Sequence, residues 1–431
     1  MSKEENRKNF SKYVSQNILG MIGFSCYVLA DSYFISIAKG ADGLTALNLV
    51  MPLYSIIFSI GEMIGVGSAI RYAIGKIKKD ADADDYFWNA IIWCIMSSMI
   101  FVFAGIFFSA DIMRVLGADE HIVAVGNNYT KIFMCFAPMF MCNYVTNAFV
   151  RNDGAPGIAM SATLFSSLFN IVFDYILMFP MNLGMEGAAL ATALSPIIGM
   201  GICSIHFFSK KSSVRLVVCK PSVRKLVAGS QLGVSAFVGE MSSAVITLAF
   251  NFVILKLAGN VGVAAYGVVA NIAIVTTAVF NGVAQGSQPL ISSCFGRGDK
   301  DGCTQLKRMG YTTAFVLAAV MYSILFIFAG QFVAVFNSEG SEMLRLYATE
   351  GVKLYFIGIF FAGINIVGGG AFSATEDAFK AAVVSVARGF VLILGAVFVM
   401  SALFGMTGVW LAYAVAEGIT TFIMLVMVLR V

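Results

Sequence analysis

Five acidic residues stand inside stretches that are otherwise apolar: Asp31, Glu62, Asp174, Glu240 and Glu417. A carboxylate inside a membrane-spanning segment costs about 2.5–3.5 kcal/mol on insertion scales, so each one asks for a use. Asp31 lies six residues before Ile37, and Asp174 six before Pro180, at the ends of two apolar runs. At 1.5 Å per residue both sit roughly 9 Å inside the same boundary. Thr192 reaches a similar depth on the run that starts at Glu186. Asn170 precedes Asp174 by four residues, which puts both side chains on one helical face. Two carboxylates, an amide and a hydroxyl at one level supply oxygen ligands for a hard cation such as Na⁺, or the acids hold a proton between them. The alternative is structural: a protonated Asp that ties helices together by hydrogen bonds. Glu62, Glu240 and Glu417 either line an aqueous cavity that attracts cations or pack as neutral residues.

Positioning these groups requires helices that cross a bilayer. The 431-residue chain is 59% hydrophobic and only 12% charged, against about 25% charged in a soluble protein. About twelve segments are long and apolar enough to span: 14–37, 44–70, 87–108, 121–149, 158–180, 186–209, 226–257, 263–293, 309–335, 343–372, 379–404 and 408–429. Strand alternation is absent, which argues against a β-barrel. The expected fold is an all-α polytopic membrane protein. The polar start MSKEENRKNFSKY leads into a long apolar run without a small-residue cleavage signature, so the first segment is expected to be a retained helix.

With alternate loops on alternate sides, 22 of the 28 Lys and Arg fall on the side of the N-terminus, Arg151, Arg388 and Arg430 among them. The other six are Lys39, Arg114, Lys131, Lys256, Arg345 and Lys353. The positive-inside rule then puts both termini in the cytoplasm of a multi-pass plasma (inner) membrane protein. The net charge of +4 is the footprint of orientation and needs no nucleic-acid partner. The eight cysteines show no metal-ligand spacing. No GxxxxGK[ST] pattern suggests ATP, and two histidines near segment ends argue against zinc or acyl-transfer chemistry. GRGD at 296–299 matches the GxGD pattern of an intramembrane aspartyl protease, but it falls in a loop between apolar runs rather than inside one and reads as a solvated turn. No enzymatic activity and no cofactor are expected.

The chain repeats itself. GADGLTALNLVMPLYSIIFSIGEMIGVGS (40–68) aligns without gaps to GNVGVAAYGVVANIAIVTTAVFNGVAQGS (259–287), matching Gly40, Gly43, Ala46, Gly67 and Ser68 to identical residues and Glu62 to Asn281. LGMEGAALATA (183–193) aligns to FGMTGVWLAYA (404–414) at nearly the same offset. Two lobes of about six helices, 1–215 and 216–431, are therefore expected, joined by the basic stretch KKSSVRLVVCKPSVRK (210–225). Six is even, so the halves form a parallel repeat related by a pseudo-two-fold along the membrane normal. No acid occupies the position that matches Asp174 in the second half.

The runs RNDGAPG (151–157), FNIVFDYILMF (169–179) and GMEGAALATALS (184–195) resemble the multidrug and toxic compound extrusion (MATE) family, as do AAYGVVANI (264–272), GSQPLISSCFGRGD (286–299) and FGMTGVWLAYAVAE (404–417). The resemblance covers nearly the whole chain in order. It implies a twelve-helix antiporter, a monomer, that exports organic cations against inward Na⁺ or H⁺. In the DinF-like and MepA-like branches the resemblance implies a cation site at Asp31, Asn170, Asp174 and Thr192. In the NorM-like branch a helix-seven Glu matters, and Glu240 stands near that place. Several relatives carry a proline that bends helix one; SQNILGMIGF has none, so a bend there would rest on Gly20 and Gly23. Two other functions stay open: a lipid-linked-precursor flippase, which would want cations in its cavity, and a passive channel, which would want pore residues repeated around an axis.

Overall fold

A computed structural model describes residues 3–215, 217–336 and 341–429; Arg430, counted above among the cations of the N-terminal side, lies outside them. The described residues are helical almost throughout, with no strand. The first two helices, α1 (Lys3–Gly40) and α2 (Asp42–Lys78), meet at Gly40, whose φ of 60° and ψ of −142° turn the chain back in a conformation that costs an L-residue with a side chain about 1–3 kcal/mol. There follow α3 (Asp85–Val115), α4 (Glu120–Cys135 and Ala137–Asn152, bent by 46°), α5 (Pro156–Met178) and α6 (Gly184–Phe207).

The second half repeats this order. The run Val223–Gly296 is broken at Gly259 (φ 61°, ψ −157°) into α7 (223–258) and α8 (260–296). Then come α9 (Lys300–Ile327), extended by Ala329–Phe336, and α10 (Glu342–Ala374). The run Ala378–Leu429 is broken at Gly405 (φ 60°, ψ −135°) into α11 (378–404) and α12 (406–429). Splitting at these glycines gives twelve legs among the described residues. The matched glycines of the sequence repeat are thus its turns: Gly40 and Gly259 reverse the chain between the first two legs of each half, and Gly184 (φ 51°) and Gly405 between the last two. Side-chain caps start several legs, as where the Ile122 and Gly302 amides donate to Asp119 and Asp299 at 2.8 Å. Asp299, in the RGD turn, is therefore the N-cap of α9.

Each half has its own apolar core. Ile57, Phe133, Met141 and Phe149 centre one, and Phe250, Phe280, Phe356 and Trp410 the other. Large apolar side chains such as Ile100, Phe103, Phe252 and Phe422 remain exposed on the outside, as a lipid-facing surface requires. The two halves exchange the first turns of their leading helices. Phe10 and Val14 of α1 pack into the second core, while Leu232 of α7 packs into the first. The backbones approach closely there: a Cβ on Gly67 would lie 2.0 Å from the Gly229 carbonyl oxygen, and one on Gly286 would lie 2.7 Å from Val14 Cα. These are repeat-matched contacts, α2 on α7 and α8 on α1.

Polar contacts reinforce the same side. Arg71 pairs with Glu376 and donates from Nε to the Ala228 carbonyl at 3.1 Å. Lys78 reaches Glu376 at 3.4 Å, and Asn6 donates to Gln305 at 3.2 Å. Lys225 pairs with Asp85 across the junction between halves. Every contact named here lies at the end of the molecule that carries the N-terminus. Helix α1 runs without a break through Gly20 and Gly23, and a Cβ on Gly23 would meet Leu164 of α5 at 2.5 Å. In this conformation those glycines serve close packing.

Candidate functional site

Between the halves lies a cavity with about 1490 Å³ of free space, its open mouth included. Asp31 and Thr192 line it from the first half, with Tyr27 and Tyr54; Glu240, Asn281 and Arg388 line it from the second. Two further chambers continue it toward the N-terminal side, and Glu62 and Glu240 line both.

Asp31 of α1, Asn170 and Asp174 of α5, and Thr192 of α6 are all buried. With the Asn170 amide oriented so that its polar atoms are paired, its nitrogen donates to Asp174 Oδ2 at 3.1 Å. Its oxygen accepts from Thr192 Oγ1 at 3.2 Å and from the Thr192 amide at 3.3 Å. The i, i+4 spacing on α5 places amide and carboxylate one turn apart, and the small residues that open α6 let Thr192 come against them. Asp31 lies within electrostatic reach of Asp174, and Phe34 of α1 packs against Tyr175 and Phe179 of α5 with ring centroids 6.2 Å apart. Thr192 and Asp31 touch the cavity, whereas Asn170 and Asp174 stand behind them, fully enclosed. One oxygen of each acid, Asp31 Oδ1 and Asp174 Oδ1, is buried with no hydrogen-bond partner. A buried unpaired carboxylate oxygen is expensive, and either a bound cation or a proton would satisfy it. The donor set, two carboxylates, an amide oxygen and a hydroxyl, suits a hard ion.

Sequence spacing did not bring out the phenols around this pair. Tyr27 is one turn before Asp31 on α1, a spacing that was legible. Tyr54 of α2, whose hydroxyl bonds that of Tyr129 of α4 and whose ring stacks on Phe133 with centroids 3.6 Å apart, had no linear signal.

The remaining acids have different surroundings. Glu62 accepts from Gln285 Nε2 of α8 at 3.2 Å, and Gln285 Oε1 accepts from Arg151 Nη1 at 2.6 Å. Arg151, expected in a loop, is instead buried in the last turn of α4 and lines a chamber of the cavity. Glu240 makes no hydrogen bond or ion pair among the described residues, and Asn281 faces the same space as Glu62, its repeat mate. Glu417 of α12 is held on all sides: Arg388 Nη2 donates to its Oε1 at 2.7 Å and Asn365 Nδ2 to its Oε2 at 2.7 Å. Arg388 is thus a correction to the charge count. It lies ten residues into α11, about 15 Å along the axis, inside the membrane-spanning region rather than at its cytoplasmic edge. A carboxylate on the next helix, 29 positions on, satisfies its charge, which no local pattern reveals.

A profile of the family described as MatE matches residues 17–176 and 236–399, one block in each half. The chain belongs to the MatE family. Among curated relatives of this MatE chain, the multidrug export protein MepA of Staphylococcus aureus strain MRSA252 is 27% identical over 93% of the chain and 89% of its own length. MepA of Staphylococcus saprophyticus is 26% identical over the same shares. Among solved structures, an outward-facing conformation of a multidrug resistance MATE family transporter of the MOP superfamily superposes with a TM-score of 0.92 at 20% identity, covering 99% of this chain and 96% of that one. A MOP superfamily transporter from Pyrococcus furiosus, for which a reversed polarity of the binding pocket suggests a different function, superposes at 0.90 and 19% identity over 98% and 95%. At these identities the structural likeness speaks to the fold alone: a membrane protein of two repeated six-helix halves.

Proposed function

We propose that this MatE chain is a secondary exporter of organic, often cationic compounds, driven by inward Na⁺ or H⁺ and working by alternating access between lobes 1–215 and 216–431. The observation that carries this reading is the enclosed Asp31–Asp174 pair, with an unsatisfied oxygen on each acid, set in the wall of a cavity between the halves. The family match and the multidrug export relatives support the cargo class. The close backbone contacts on the N-terminal side, which the charge bias assigns to the cytoplasm, support a state closed inward and open outward.

The geometry suggests how two unconnected sites communicate. A cation or proton at Asp31 and Asp174 neutralises charge and draws α1, α5 and α6 together, while cargo in the cavity rests on Tyr27, Tyr54 and Glu240. Each ligand favours one conformation to the extent that it binds that conformation better. The net-acidic cavity, whose arginines are already engaged by Glu417 and Gln285, favours cationic cargo over the phosphate of a lipid-linked precursor.

The deciding measurement is efflux of a cationic dye from proteoliposomes under an imposed Na⁺ or pH gradient. Wild type should respond to one of them, and Asp174→Asn should lose the gradient response while remaining folded. Wild-type rates in Asp174→Asn would sink the coupling site, and no response to either gradient would sink the antiporter.

A further inference from the structure

Two polar stripes run through legs that are otherwise apolar. On α5, Thr163, Ser167, Asn170 and Asp174 recur at spacings of four, three and four, which puts them on one helical face. On α4, Asn143, Asn147 and Arg151 recur every fourth residue. The stripes face each other, for Asn147 Nδ2 donates to Thr163 Oγ1 at 3.2 Å. Between them lies one of the two further chambers, with about 1020 Å³ of free space, its opening included. Among the described residues only Glu240 and Gln285 line it from the second half, so most of it is a space inside the first.

Helix α6 joins this chamber to the acids. Pro196 has no amide hydrogen, so the Thr192 carbonyl four residues earlier lacks its helical donor. Ser195 Oγ donates to that carbonyl at 3.0 Å, and Ser166 Oγ donates to the Ser195 carbonyl at 2.9 Å. Thr192 therefore meets Asn170 and the cargo cavity with its hydroxyl, and with its carbonyl a serine that lines the chamber. Two buried atoms of the α4 stripe, Asn143 Oδ1 and Arg151 Nε, have no partner among the described residues. A polar space of this size with unpaired groups is one that water fills. Charge closes its lower end. Arg151 is 4% exposed and makes no ion pair among the described residues; its Nη1 donates to Gln285 Oε1 at 2.6 Å, and Gln285 Nε2 donates to Glu62 at 3.2 Å.

We infer that the two stripes line a wetted release route, separate from the cargo cavity, by which the cation or proton held at Asp31 and Asp174 leaves toward the N-terminal side, and that Arg151 is the charge that closes it. The inference rests on the antiport reading and adds to it the path of the coupling ion. An ion that leaves an enclosed site needs an oxygen or a water at each step, and the facing hydroxyls and amides supply them. A guanidinium across the exit repels it. Gln285 belongs to the second half, whereas Glu62 and Arg151 belong to the first. Parting of the halves removes Gln285 and leaves Arg151 to pair with Glu62, so release is tied to inward opening.

The test compares two assays on full-length protein in proteoliposomes with a cationic dye. One is efflux under the gradient to which wild type responds; the other is dye–dye exchange without a gradient, which needs no net release of the ion. Asn143→Leu and Ser167→Val stay close to the native side-chain size and remove the polar groups. Each should slow gradient-driven efflux by about tenfold, the rate equivalent of one lost hydrogen bond to the moving ion, and leave exchange unchanged. A packing defect would slow both. Arg151→Gln keeps a hydrogen bond to Gln285 without the charge, and should speed dye-free decay of the ion gradient by about tenfold. Unchanged efflux in both stripe variants, equal slowing of efflux and exchange, or no added leak in Arg151→Gln would overturn the route. Wild type that responds to neither gradient would remove the exporter reading, and the route with it.

Discussion

Asp174 and Thr192 are joined through a single amide, that of Asn170, whose two polar groups face a carboxylate and a hydroxyl. The residue that closes this chain, Thr192, also touches the cavity, so it links an enclosed acid to the solvent side. Thr192→Ala removes one oxygen and leaves the Asn170 oxygen bonded only to a backbone amide. The expected result is a coupling-ion affinity weaker by about tenfold, since a hydrogen bond to a neutral partner is worth about 1 kcal/mol and the lost ligand adds to it. The half-maximal ion concentration for dye efflux measures this, and an unchanged value would place the ion elsewhere.

At the scale of the elements, the turns and the close helix contacts divide the work of glycine. Gly259 sits at positive φ with nothing near its Cβ position, so a methyl there meets no obstacle and the cost is conformational alone. Gly259→Ala should lower stability by about 1–3 kcal/mol. Gly395, in the interior of α11, also has nothing near it but carries no positive φ; Gly395→Ala should stabilise by about 0.5–1 kcal/mol. Thermal unfolding in detergent compares the pair, and equal shifts would contradict the conformational account. The Arg71–Glu376–Lys78 cluster is the second device at this scale, tying α2 to the start of α11. These side chains are a quarter to half exposed, so the cluster is worth at most about 1 kcal/mol. Glu376→Gln should therefore raise the population of states separated on this side by up to about fivefold. Spin labels at Lys79 and Lys380 should report a longer distance component, and an unaltered distribution would show that the packing of Gly67 against Gly229 suffices.

For the whole molecule, the repeated architecture places the heaviest basic charge at one end. Lys210, Lys211 and Lys220 belong to the junction between halves, and Lys39 and Lys256 to the opposite end. In intact cells, a membrane-impermeant amine reagent should modify Lys39 and Lys256 and spare the junction lysines until the membrane is opened, as read by peptide mass spectrometry. The reverse pattern would invert the orientation argued from charge. The central cavity lies between two separate cores, which is the arrangement that lets two rigid bodies pivot without unpacking either one.

The all-α class, the number of legs and the repeat were legible in the chain because each depends on local quantities: segment length against bilayer thickness, charge per loop, and glycines that only a left-handed turn requires. The grouping of Asp31, Asn170, Asp174 and Thr192 was legible for a related reason, since helices that start at a common boundary carry equal residue counts to equal depths. The partners of Arg388 and Arg151 were not. Depth can be counted along a helix, but which face meets which helix is set by packing between α4, α8, α11 and α12, and only the tertiary structure turned Arg388 onto Glu417 and Arg151 onto Gln285. The same holds for the phenols of Tyr54 and Tyr129, brought together from residues 75 positions apart. Burial in a low-dielectric interior forces charged groups to find partners across such distances, and that search is resolved in three dimensions.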